Sequence, residues 1–196
     1  MDKRTATVHR KTGETDITVT INIDGKGSAD INTGIPFMDH MLNLFARHGF
    51  FDLSIAAKGD LEVDYHHTME DLGLTFGEAF AKALGDKAGI RRYGSFLLPM
   101  DETLVLTALD ISGRNGLYYD VTPPAPMVKD IDSRLFHEFF LAFCNKCGLN
   151  LHFKMFCSAE THHLFEAMFK GLAKALDQAT AIDPRVEGVL STKGSL

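Results

Sequence analysis

Alternation of apolar and polar positions marks the start of the chain. Residues 6–11 and 15–23 follow a two-residue period, the pattern of half-buried strands whose side chains point to opposite faces in turn. From 36 to 48 the period lengthens, and Phe37, Met41, Leu44 and Phe45 fall on one face of a helix. A short strand pattern at 51–57 and a long helical pattern from about 67 to 84 complete the first half. In the second half, residues 96–111 and 117–121 read as strands, 133–147 as a helix, 149–153 as a strand and 162–179 as a helix.

The order strand, strand, helix, strand, helix thus occurs twice, and particular residues repeat with it. His66-His67-Thr68-Met69-Glu70 and His162-His163-Leu164-Phe165-Glu166 share the pattern H-H-x-x-E, 96 residues apart. Each is followed by Ala-Lys-Ala-Leu, at 81–84 and 173–176. An internal repeat of this kind predicts two similar units. The expected fold is α+β, internally duplicated, with helices packed on one face of each sheet. The units are read as 1–93 and 94–196, joined around 89–95. No long Pro/Gly/Ser linker separates them, which predicts one compact body.

The repeated motif carries the chemistry. On a helix His66 and Glu70 are four residues apart and His67 and Glu70 three, so each pair can share a face. Adjacent histidines diverge by about 100°, which suits two neighbouring ions better than one. A single His-His pair is often a solvated helix start, but its recurrence with Glu at the same spacing points to metal. Imidazole and carboxylate without thiolate suit Mn, Fe, Ni or Zn. The order differs from the H-E-x-x-H of zinc peptidases. His40, beside the apolar face of its helix, is either a structural residue or a ligand. The tail Leu190-Ser191-Thr192-Lys193-Gly194-Ser195-Leu196 is small, polar and basic, suited to wrap a phosphate unless it frays. Arg92 and Arg114 stand beside glycines, where a guanidinium can meet phosphate with two hydrogen bonds.

Composition narrows the choice further. A formal charge of -6, from 26 acidic and 20 basic residues, opposes a nucleic-acid surface. No signal-like segment or membrane-length apolar run is present, so a cytoplasmic location is expected. Three cysteines cannot make a disulfide framework, and Cys144 and Cys147 are read as ordinary helix packing. A metal-dependent hydrolase and a metal-storing assembly protein remain the rival classes.

In sequence order, residues 34–42 (GIPFMDHML), 59–71 (GDLEVDYHHTMED), 89–94 (GIRRYG), 99–102 (PMDE), His162-His163 with Glu166 and Lys170, and 191–194 (STKG) resemble the imidazoleglycerol-phosphate dehydratase family along nearly the whole chain. The resemblance is to the monofunctional form. It implies dehydration of imidazole glycerol phosphate to imidazole acetol phosphate in histidine biosynthesis, a 24-subunit homo-oligomer, and two manganese ions per active site at subunit contacts. By the family pattern His40, His66, His67, Glu70, His162, His163 and Glu166 are metal ligands. Arg92, Arg114, Lys170, Ser191 and Lys193 would hold the phosphate. Glu14 and Asp101 would lie near the substrate, with Glu14 a proton carrier, and His40, His66 and Glu166 would serve catalysis through the metal. Many relatives place a histidine where this chain has Glu138, whereas here the histidine is His137. Glu138 is expected to take the ligand role, with a shifted His137 as the alternative.

Overall fold

The computed structural model describes residues 4–196. The order is β1 (Thr5–Lys11), β2 (Thr15–Asn22), β3 (Ala29–Asn32), α1 (Pro36–Gly49), β4 (Asp52–Gly59), α2 (His66–Leu84), β5 (Tyr93–Met100), β6 (Thr103–Asp110), β7 (Gly116–Asp120), β8 (Met127–Val128), β9 (Ile131–Asp132), α3 (Arg134–Cys147), β10 (Asn150–Cys157) and α4 (Thr161–Thr180). Two four-stranded sheets have the same topology, β1-β2-β4-β3 and β5-β6-β10-β7. In each, the first three strands are antiparallel and the edge strand runs parallel to its neighbour. The duplication expected from the sequence is therefore present down to strand order.

Three elements of this plan differ from the sequence pattern. The apolar run at 96–111 is a hairpin, broken where Asp101 adopts a left-handed conformation at φ 50° between β5 and β6. The edge strand β3 gave no periodic signal. It has four residues, mostly exposed, and exists because Ile31 pairs beside Ile55 of β4. The small β8–β9 hairpin has no counterpart in the first half and was also outside the pattern.

Helices cover one face of each sheet, α2 chiefly on the first and α4 on the second, and the helical layers then pack together, α2 on α3 and α1 on α4. The strand pattern of β2 and β6 shows why: every second residue is buried, among them Ile17, Val19 and Ile21 in β2 and Val105, Thr107 and Leu109 in β6. In α1, Pro36 opens the helix with its φ already set, and Met38, Met41, Leu42 and Phe45 are fully buried. Phenylalanines join the halves. Phe76 and Phe80 of α2 pack on Phe143 of α3 with ring centres 5.1 and 6.0 Å apart, and Phe37 of α1 meets Phe136 of α3 at 5.8 Å. Cys144 and Cys147 are buried in α3, where burial pushes the Cys144 thiol up to about 12 and Cys147 higher than its ordinary value. They pack as small apolar groups, as expected. No helix among the described residues is long and apolar enough to cross a membrane.

The α2–α3 contact is close because Gly73 and Gly77 lie on it. A Cβ at Gly77 would stand 2.4 Å from the Phe143 carbonyl oxygen and 3.0 Å from the Lys146 Cβ, and one at Gly73 would stand 2.5 Å from the Phe139 oxygen. In a free helix, replacing Gly by Ala adds about 1 kcal/mol of stability. Here Gly77→Ala is expected to lower stability by about 1–3 kcal/mol, because the helices must separate. Urea unfolding measures this directly, and a midpoint above that of the unaltered protein would show that the contact is not tight.

Candidate active site and metal centre

Both histidine pairs sit in the first turn of a long helix, α2 and α4, where main-chain N–H groups have no partner inside the helix. Carboxylates from the preceding loops accept from these groups: Asp64 from the His66 N–H at 2.7 Å and Glu160 from the His163 N–H at 2.9 Å. The adjacent rings stand 6.2 Å apart in both pairs, at 88° and 77°, so they do diverge as the helical turn predicts. Each first histidine reaches the glutamate one turn on, His66 to Glu70 at 3.6 Å and His162 to Glu166 at 3.3 Å.

The second unit makes the more compact centre. His40 crosses from α1 so that its Nε2 lies 2.8 Å from Glu166 Oε1, the oxygen that His162 also reaches. Lys170, one turn further along α4, donates to Glu166 Oε2 at 2.8 Å. Burial opposes ionisation of Glu166, but the Lys170 ammonium and the His40 and His162 hydrogen bonds outweigh it and hold the carboxyl down at about 2. It is a carboxylate at neutral pH. Donor atoms of His40, His162 and Glu166 all lie within 4.8 Å of one another. Two imidazoles and a carboxylate without thiolate fit a first-row divalent ion such as Mn, Fe, Ni or Zn.

The hairpin turns bring further carboxylates to the second histidine of each pair. Thr12 Oγ1 accepts from the Glu14 and Thr15 N–H groups, which shapes the β1–β2 turn, and buried Asp71 of α2 accepts from Thr15 Oγ1 and Arg10 Nε, which fastens the turn to the helix. Glu14 is thereby set 3.7 Å from His67 Nε2, while Asp60 Oδ2 lies 3.0 Å from His67 Nδ1. In the second unit, the β5–β6 turn places Glu102 Oε2 3.0 Å from His163 Nδ1 and Asp101 4.0 Å from His163 Nε2. The His163 hydrogen bond holds Glu102 down at about 2. Sequence reasoning assigned no role to Asp60 or Glu102. They approach the histidines through loops and turns, and helical spacing carries no sign of that.

The remaining expected ligands are less tightly gathered. Among the described residues, His66 and Glu70 form a pair without a third ligand atom of the kind that completes the His40 group. Glu138 of α3 shares with His66 a cavity of about 630 Å³, also lined by Tyr65, Asp130 and Arg134. His137 does not line it. That ring packs edge-on against Tyr119, 5.2 Å away, and its Nδ1 lies 3.1 Å from Glu138.

Arg92, Arg114, Ser191 and Lys193 line one cleft of about 300 Å³ together with Thr192, Ser195 and Leu196. The tail is anchored rather than frayed. Arg92 pairs with Asp110 through Nε and Nη2 at 2.6 and 3.0 Å and donates from Nη1 to the Leu190 carbonyl at 2.7 Å. Its backbone, at φ 71°, is held by hydrogen bonds to Ala179 and Ile111. Lys170 does not line this cleft, because it is spent on Glu166.

A duplicated α+β chain with imidazole and carboxylate clusters at paired helix starts, and a basic cleft apart from them, has the arrangement of an enzyme site built on repeated units. The family model described as imidazoleglycerol-phosphate dehydratase matches residues 33–176. The imidazoleglycerol-phosphate dehydratase of Lachnoclostridium phytofermentans is 57% identical over 193 residues, covering 98% of each chain. That of Pelobacter propionicus is 56% identical over 193 residues, covering 98% of this chain and 99% of its own. The crystal structure of the Staphylococcus aureus enzyme superposes with a TM-score of 0.83 at 34% identity, over 91% of this chain and 99% of that one. The Pyrococcus furiosus enzyme, solved in complex with (S)-C348, gives 0.83 at 36% identity, over 96% and 100%. This chain belongs to the imidazoleglycerol-phosphate dehydratase family.

The Arg92–Asp110 pair generates a test of the cleft. Asp110→Ala removes the carboxylate that orients Arg92, and with it the anchor of Leu190. Hydrogen exchange at 190–194 is expected to quicken while α2 and α4 keep their protection. Unchanged exchange in the tail would mean that Arg92 is not what holds it.

Proposed function

We propose that this chain removes water from imidazole glycerol phosphate to give imidazole acetol phosphate in histidine biosynthesis, in the cytoplasm, with two manganese ions per active site. The observation that carries this reading is the convergence of His40 and His162 on one oxygen of Glu166, in a chain of this family. His40, His66, His67, Glu70, Glu138, His162, His163 and Glu166 are the ligands in this reading. The cavity that Glu138 shares with His66, and that His137 does not line, supports Glu138 over His137. Bound manganese supplies the positive charge that lets an imidazole ring act as electron sink, since no carbonyl acidifies the carbon-bound proton.

The chain's own groups do the rest. Glu14, half exposed on its turn, accepts the proton from carbon. Asp101, exposed at the equivalent turn, contacts the substrate. Arg92, Arg114, Ser191 and Lys193 hold the phosphate, which stays outside the bond changes, so its binding energy serves orientation. Lys170 also binds phosphate in this reading, yet it is part of the Glu166 cluster and not of the cleft. That separation supports a site completed between subunits, in a 24-subunit homo-oligomer. A second support is the outer face of the β5-β6-β10-β7 sheet. There Leu97 and Tyr118 are about half exposed, beside Leu106 and Ala108, whereas the matching face of the first sheet carries Thr7, Thr20, Ser54 and Lys11.

Purified protein incubated with imidazole glycerol phosphate and manganese is expected to release the acetol product. Chelator treatment should abolish turnover and manganese should restore it, while light scattering should show smaller species in the chelated state. Full activity without metal would refute the metal reading, and an unchanged mass would refute ions shared between subunits.

Two variants separate positioning from chemistry. Lys193→Ala should mainly raise KM, with a loss of about 1.5–3 kcal/mol for a charged hydrogen bond, and keep its metal. Glu70→Ala should lower metal occupancy and kcat together. If Glu70→Ala keeps both, the first His-His-x-x-Glu cluster is only a solvated helix start.

A further inference from the structure

The two units hold their second histidine by different means, and the difference concerns Glu14. His67 and His163 both turn Nδ1 toward a carboxylate 3.0 Å away, Asp60 in one unit and Glu102 in the other. These carboxylates are not equivalents in the repeat. Glu102 precedes Thr103, the first residue of β6, as Glu14 precedes Thr15, the first residue of β2, and both strands share one burial pattern. By strand alignment Asp60, the residue after the end of β4, answers to Ser158, the residue after the end of β10, whose hydroxyl meets Thr103 Oγ1 and the Glu160 carbonyl and no histidine. In the second unit the turn carboxylate, Glu102, does the holding. In the first unit Asp60 does it, and Glu14 stays 3.7 Å from the far nitrogen, more than half exposed.

We propose that Asp60 is a positioning residue: it fixes the ring of His67 through Nδ1, presents Nε2 as the free lone pair, and thereby releases Glu14 to face the substrate. An ionised carboxylate only accepts, so the nitrogen beside Asp60 carries the hydrogen and the other nitrogen is the ligand atom. Asp60 spends little on the fold. Its Oδ1 is buried with no hydrogen-bond partner among the described residues, and its Oδ2 meets His67. An oxygen left in that condition costs stability, which is unexpected in a residue whose purpose is structural.

The proposal rests on the manganese reading, and calorimetric titration of metal-free protein with manganese tests the two separately. Absence of binding by the unaltered protein overturns the metal reading and this inference with it. With binding established, Asp60→Ala is expected to weaken manganese affinity 10–100-fold, the usual cost of losing the partner of a ligating histidine. Asp60→Asn, whose carbonyl can still accept, should fall between. Turnover of the Ala variant should show kcat reduced with KM nearly unchanged, since the phosphate cleft is untouched. Affinity and kcat equal to those of the unaltered protein would overturn the proposal. Should the Ala variant fail to fold, ring-nitrogen solid-state NMR of the unaltered metal-free protein decides: the hydrogen of neutral His67 must be on Nδ1, and its location on Nε2 would be fatal to the idea.

Discussion

The approach of α2 to α3 at Gly73 and Gly77 is the constraint on which the rest of the molecule depends. Carbonyl oxygens of Phe139 and Phe143 occupy the space that any Cβ would need, so the helical layers of the two units meet with almost nothing between their backbones. This contact, filled out by Phe76, Phe80 and Phe143, determines how far apart the two sheets stand. It also determines where α1 lies against α4. Only at that distance does a side chain of the first unit, His40, reach a carboxylate of the second, Glu166. The His40, His162 and Glu166 centre is thus a product of the packing between the repeats.

Duplication supplied two similar frameworks, and electrostatics then separated them. Glu70 and Glu166 are equivalent by position, yet Glu70 is half exposed while Glu166 is largely buried beneath an ammonium and two imidazoles. A buried carboxylate in such company stays ionised and oriented, and its lone pairs are already aimed at the space between two histidines. The exposed Glu70 lacks that organisation within one chain. The turn carboxylates differ in the same way. Glu102 is committed to His163, and Glu14, relieved by Asp60, is left with a free carboxylate on a turn that Asp71 fastens to α2.

The basic cleft proposed to take the phosphate obeys a different logic. Arg92 is held by Asp110 and by its own backbone at a positive φ, and the C-terminal segment closes over it by way of the Leu190 carbonyl. Arg114, Ser191 and Lys193 stand on the wall of the same cleft. A cleft held this way would serve orientation of a bound phosphate.

The sequence alone determined the class of fold, its duplication and most of the side chains that gather at the candidate metal centre. Those signals are local: the period of two in β2, the period of 3.6 in α1 and α4, and the recurrence of H-H-x-x-E at one spacing. It also determined the composition of the basic tail. Features that arise from contacts distant in sequence were decided by the tertiary structure. The strand β3 exists only beside β4. Asp60 and Glu102 meet their histidines across loops, His40 meets Glu166 across 126 positions, and the tail finds Arg92 across 98. Lys170 shows the same division, since its charge suits a phosphate while its place beside Glu166 follows from the single turn of α4 that separates them. A residue's chemistry is fixed by its side chain, whereas its partner is fixed by how sheets and helices close-pack, and close packing is a property of the whole chain.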